Sequence, residues 1–128
     1  MEKNMKHSEL FQKMVEKMQG LPETNRFTSD YKHAYQFEGE GVDPFYLQVD
    51  HGNLSVHPGV LKGGFDVRTV VRANASTLRD ILVGKLKPLD AADQGRWSIQ
   101  ARNYSGNLLL VLIRIGQEKI IEELLSKL

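Results

Sequence analysis

The chain has no cysteine in its 128 residues. Disulfides, thiolate metal sites and cysteine nucleophiles are therefore excluded. It lacks charge of one sign as well: 17 Lys and Arg against 16 Asp and Glu leave a formal net charge of +1. The basic residues are spread along the chain, which argues against the basic stripe of a nucleic-acid binder. Long apolar runs are missing. The longest, Leu108 to Ile113, is far too short to cross a bilayer. The N-terminal MEKNMKHSEL has no apolar signal core. These absences predict a soluble, cytoplasmic protein. Gly-x-Ser-x-Gly, the P-loop, the dinucleotide glycine fingerprint and His-Glu-x-x-His are absent too, so the motifs predict neither catalytic residues nor a cofactor.

What remains is ordinary for a globular protein, and the length suits one domain over 1–128. Ser8 to Gln19 reads as an amphipathic helix with Leu10, Phe11, Met14, Val15 and Met18 on one face. Ser8 serves as its N-cap, and Gly20 and Pro22 end it. Tyr31 to Glu38 alternates, with Tyr31, His33, Tyr35 and Phe37 on one side, as a half-buried strand does. Phe45, Leu47 and Val49 make a second strand, and Gly52-Asn53 reads as a hairpin turn into Leu54 and Val56. Phe65, Val67, Thr69 and Val71 form the next alternating face, opposed by Asp66, Arg68 and Arg72. Leu78, Ile81 and Leu82 share one face of a helix over about Ser76 to Val83. Gly84 suits the left-handed residue at its end, and Pro88 prevents the helix from resuming. Trp97, Ile99 and Ala101 form the last strand.

The all-apolar run 108–113 fits a buried strand or a buried helix. Ile120, Ile121, Leu124, Leu125 and Leu128 form the stripe of a C-terminal amphipathic helix. The expected architecture is α+β: about five short, mainly antiparallel strands covered on one face by helices.

The segment Ser76 to Gln100 carries a resemblance. Gly84, Lys85, Leu86, Pro88, Ala91 or Ala92, Gln94 and Gly95 follow one another as in the sterol carrier protein-2 (SCP2-like) lipid-binding domain. There a helix ends in Gly-Lys-Leu/Met-x-Pro, followed by Gln-Gly and a strand. The resemblance implies a helix over 108–113 and an apolar tunnel between sheet and helices. A fatty acid, fatty acyl-CoA or sterol-like ligand would be carried there without catalysis. Its walls would be Leu47, Val49, Leu78, Leu82, Leu86, Trp97, Ile99, Leu108, Leu112 and Ile115, with Gln94 near the head group and Leu125 on a C-terminal lid. The pattern departs at Ala92-Asp93, where the family often has aromatic residues. From hydrophobic pattern alone the same apolar residues make a solid core. The alternative is a filled SCP2-like module that covers its apolar face with a partner, a homodimer among the options. The terminal Ser126-Lys127-Leu128 is the literal peroxisomal address, so a peroxisomal location is the alternative to the cytoplasm in a eukaryote. Otherwise Leu128 completes the helical stripe.

His51 and His57 flank the hairpin and, with Asp50, fall short of a metal site. His33 reads as a packed core histidine and His7 as a tail residue. Glu38, Glu40 and Asp43, separated by glycines, read as a solvated loop.

Overall fold

A computed structural model of the chain describes residues 5–65, 67–101 and 105–128. Asp66 lies outside them, and the side chains of Val67, Arg68 and Ala101 are likewise not described. Helix α1 (His7–Met18) and helix α2 (Pro22–Thr28) precede a meander of β1 (Lys32–Gly39), β2 (Val42–Asp50) and β3 (Asn53–Pro58). Strand β4 (Val67–Ala73), helices α3 (Ala75–Leu82) and α4 (Pro88–Asp93), strand β5 (Trp97–Ala101) and helix α5 (Ser105–Ser126) follow.

The five strands run in the order β3-β2-β1-β4-β5. All neighbours are antiparallel except β1 and β4, which are parallel and need a long crossover. The register puts Tyr35 opposite Leu47 and Thr69, and Phe37 opposite Phe45 and Val71. One sheet face therefore gathers the large apolar side chains. Phe37 and Phe45 stack at 4.8 Å between ring centroids, and Phe11 of α1 meets Phe37 edge-on at 5.2 Å, a geometry that matches the ring quadrupoles. Met14, Met18, Leu78, Ile81, Leu82, Leu109 and Leu112 close the same core from the helices.

Gly116 lets α1 and α5 come together. A Cβ there would fall 2.6 Å from Met14 Sδ and closer still to Met14 Cγ.

Several sequence expectations need correction. The α1 N-cap is Lys6, two residues before Ser8: the Lys6 N–H donates to Glu9 Oε1 at 3.3 Å, and the helix starts at His7. His7 is no tail residue. It is buried, with Nε2 2.9 Å from the Ala75 carbonyl. Pro22 does not only end α1. It opens α2, since a proline at the first helical turn sacrifices no hydrogen bond.

The hairpin turn is His51-Gly52, one residue before the expected pair, and Asp50 faces Asn53 across it. Both turn residues have positive φ, +48° and +91°, as this tight reversal demands. Strand β1 is buried on both faces rather than half-buried. Ala34 and Gln36 on the second face are buried too, and the Gln36 amide is held by the chain around Gly59 to Leu61. Phe65 precedes β4 instead of belonging to it. Pro88 stops α3 from resuming, yet it starts α4 where a loop was expected. Finally, residues 108–113 and the stripe from Ile120 to Leu125 belong to one helix, α5, of 22 residues, and Leu128 lies beyond its end.

His33 is buried and hydrogen-bonded to the Tyr35 hydroxyl at 2.7 Å. Burial holds the Tyr35 phenol far above its ordinary value, with Tyr31 adding to the shift. His51 Nδ1 lies 2.8 Å from Asp50, and His57 Nε2 lies 2.9 Å from the Ser55 hydroxyl. Among the described residues no three His, Asp or Glu side chains gather as a metal site. Glu38 lies within β1, where Arg72 Nε donates to it at 2.7 Å. Ser126, Lys127 and Leu128 are all exposed, so the final turn does not hide the tripeptide.

Candidate functional site

The reversal after α3 sets up the site. Gly84 takes φ +87°, and the amides of Lys85 and Leu86 both donate to the Asp80 carbonyl, at 2.8 and 3.1 Å. This closes the helix end and turns the chain back on itself. Pro88 then opens α4, whose buried Pro88 and Ala91 rest on the core while Leu89 stays 65% exposed. At the far end Arg96 lies 3.6 Å from Asp80, tying the exit of α4 back to α3.

Helix α5 passes alongside. Its apolar run has two outlooks: Leu109, Leu112, Ile113 and Ile115 point into the core, whereas Leu110 and Val111 are only partly buried. Between the outer side of α5 and α4 lies an open, mainly apolar groove of about 740 Å³. Leu110, Val111 and Ile121 of α5 and Pro88 and Leu89 of α4 supply its apolar wall. Lys87, Asp90, Asn107, Arg114, Gln117 and Glu118 add polar groups. Arg114 Nε donates to Glu118 at 3.3 Å, so part of this charge is internally compensated.

Gln117 is the buried member of this set. Its Nε2 donates to the carbonyls of Ile81 and Leu86, both at 2.9 Å, and so ties α5 to the end of α3 and to the reversal. Sequence reasoning missed Gln117, since a polar residue after an apolar run reads as the start of a solvent face. Its spacing from Leu110, two turns earlier, was the available signal.

The residues expected to wall a tunnel lie elsewhere. Leu47, Val49, Leu78, Leu82, Trp97, Leu112 and Ile115 are buried together in the core under the sheet. Leu86, Ile99 and Leu108 are partly buried against that core. Gln94 caps the end of α4 and is exposed, and Leu125 is 61% exposed on the last turns of α5. None of these twelve residues lines the groove.

Comparison of the whole fold decides what this arrangement resembles. Sterol carrier protein domain 2 of Helicoverpa armigera superposes with a TM-score of 0.57 at 20% identity, over 84% of this chain and 86% of that one. Palmitated SCP2L2 from Aedes aegypti superposes with a TM-score of 0.55 at 14% identity, over 78% and 90%. The fold is that of an SCP2 domain. The sec-alkylsulfatase Pisa1 from Pseudomonas sp. also matches, with a TM-score of 0.55 at 18% identity, over 71% of this chain. This chain spans only 14% of that enzyme, most of which has no counterpart here. No family model matches the sequence. No curated protein matches it either. The likeness thus lies in SCP2-type architecture. Among the described residues, no helix is long and apolar enough to cross a membrane.

Proposed function

We propose that the protein is a non-enzymatic carrier of a single-chain lipid, held in the groove between α4 and α5. The observation that carries this reading is the open groove of about 740 Å³ with Leu89, Leu110, Val111 and Ile121 on its wall. Its size falls in the range of roughly 300–1,000 Å³ typical of ligand sites. Burying an alkyl chain there yields about 0.8 kcal/mol per methylene, with no reacting group required. The SCP2-type fold, and a neighbour of that fold described as palmitated, support a fatty acyl or related ligand. The space under the sheet is less suited to the ligand, because Phe11, Phe37, Phe45, Leu47 and Leu78 already fill it.

Native mass spectrometry of the freshly purified protein, with organic extraction of what it carries, tests the proposal. A co-purified single-chain lipid is expected. Val111→Trp should reduce its retention at least roughly fivefold, because the indole takes up part of the groove that Val111 lines. An empty protein that also refuses fatty acids, long-chain alcohols, acyl-CoA and sterols would overturn the assignment.

A second reading rests on another observation. Ile121, Leu124 and Leu125 are 45%, 58% and 61% exposed along one side of α5. In that reading the core is filled, the stripe packs against a second copy, and mass rises with concentration by light scattering.

A further inference from the structure

We infer that Gln117 makes the groove selective for a lipid whose head group is a neutral hydrogen-bond donor, such as a long-chain alcohol, over a carboxylate. This rests on reading the groove as a lipid site and adds the chemistry of the head group.

Three glutamines in this fold hold backbone groups, and they differ in one respect. Gln19 uses both ends of its amide: Nε2 donates to the Gly52 carbonyl at 2.8 Å, and Oε1 accepts from the Leu54 N–H at 2.8 Å. Gln36 does the same, donating to the carbonyls of Phe45 and Gly59 and accepting from the Leu61 N–H at 3.0 Å. Gln117 is bound by its nitrogen alone. Ile81 and Leu86 offer it only carbonyl oxygens, so the amide nitrogen is the end that must face them. Both N–H bonds are thereby used, and the group left over is the acceptor Oε1. Among the described residues nothing donates to it. The residue is only 6% exposed and lines the groove, and its Oε1 is not sealed from solvent.

A lipid that fills the groove and covers this oxygen without donating to it removes its water and leaves it unmet, which is costly. A ligand hydroxyl answers it. A carboxylate, which carries only acceptors at neutral pH, sets lone pairs against it and must also shed its water. The rest of the lining reinforces the preference: Asp90 and Glu118 are further acceptors, and Arg114 is engaged by Glu118. The Lys87 ammonium is the one lining cation with no partner among the described residues, but it stands at the exposed rim. A carboxylate held there would leave Gln117 Oε1 facing hydrocarbon.

The test is displacement of Nile red from the full chain by three ligands of equal chain length: hexadecanol, its methyl ether and palmitate. Hexadecanol should act at a concentration roughly tenfold below the ether, the size of one good hydrogen bond in a buried site. Palmitate should trail the alcohol by at least as much. In Gln117→Leu the gap between alcohol and ether should close to within about twofold. If that variant does not fold, the order of the three ligands on the unaltered protein decides alone. Palmitate binding as well as the alcohol, and weakened by Lys87→Ala, overturns the head-group assignment and leaves the lipid reading standing. If none of the three binds, both fall.

Discussion

At the scale of single residues, the strained points mark where sequence choice matters. His51 is the only non-glycine with positive φ among the described residues, at +48°, and it starts the turn between β2 and β3. A turn that needs two left-handed residues favours Asn-Gly over His-Gly. His51→Asn should therefore raise stability by about 0.5 kcal/mol, read as a higher urea midpoint at unchanged slope. Charge pairing makes Glu123 on α5 a second residue where choice matters. The ammonium of Lys17 on α1 donates to it and holds its carboxyl below the usual glutamate range, with Lys127 adding to the effect. A carboxyl lowered by folding stabilises the folded state above its unfolded pKa and stops doing so as pH falls through the folded value. Protection of the amides in the last turns of α5, the intrinsic exchange rate over the observed one, should fall as pH drops through and below the ordinary glutamate range. Because the pair is exposed, added salt should shrink the effect. Protection insensitive to both would show that the pair holds nothing.

At the scale of elements, α5 ties the molecule together. At 22 residues it runs for about 33 Å, buried in its middle and bare at its end. Gly116→Ala should destabilise the protein by roughly 1–2 kcal/mol in thermal unfolding, since the new methyl runs into Met14. Better helix propensity recovers less than that. Leu125→Asp should change stability by less than about 0.5 kcal/mol, as expected of an exposed site. If it also leaves lipid retention unchanged, the last turns have no lid role. The same helix shows what its residues could not tell in advance. Leu78, Ile81 and Leu82 announced α3 because polar neighbours marked their face. In 108–113 every residue is apolar, so nothing in the run says that Leu109 and Leu112 turn inward while Leu110 and Val111 look out. Helices α2 and α4 are too short for a periodic stripe, and each opens on a proline that reads as a break. The groove was hidden for a related reason: its walls come from α4 and α5, with β5 between them in the chain.

At the scale of the molecule, strand alternation and the Gly84 to Gly95 pattern were enough to reach the SCP2-type architecture. They did not point to the groove, because the expected tunnel walls are apolar residues facing a sheet. Such residues fill a core as readily as they line a cavity. The sheet order carries a separate consequence, in time rather than space. Strand β1 lies in the middle of the sheet, yet one of its neighbours is β4, which begins 28 residues after β1 ends, from Gly39 to Val67. During synthesis the β1–β2–β3 meander can zip early, and until β4 arrives it offers β1 as a bare edge with Tyr35 and Phe37 beside it. A nascent chain stalled before residue 67 is then the most adhesive form this protein takes, and the one most in need of a chaperone.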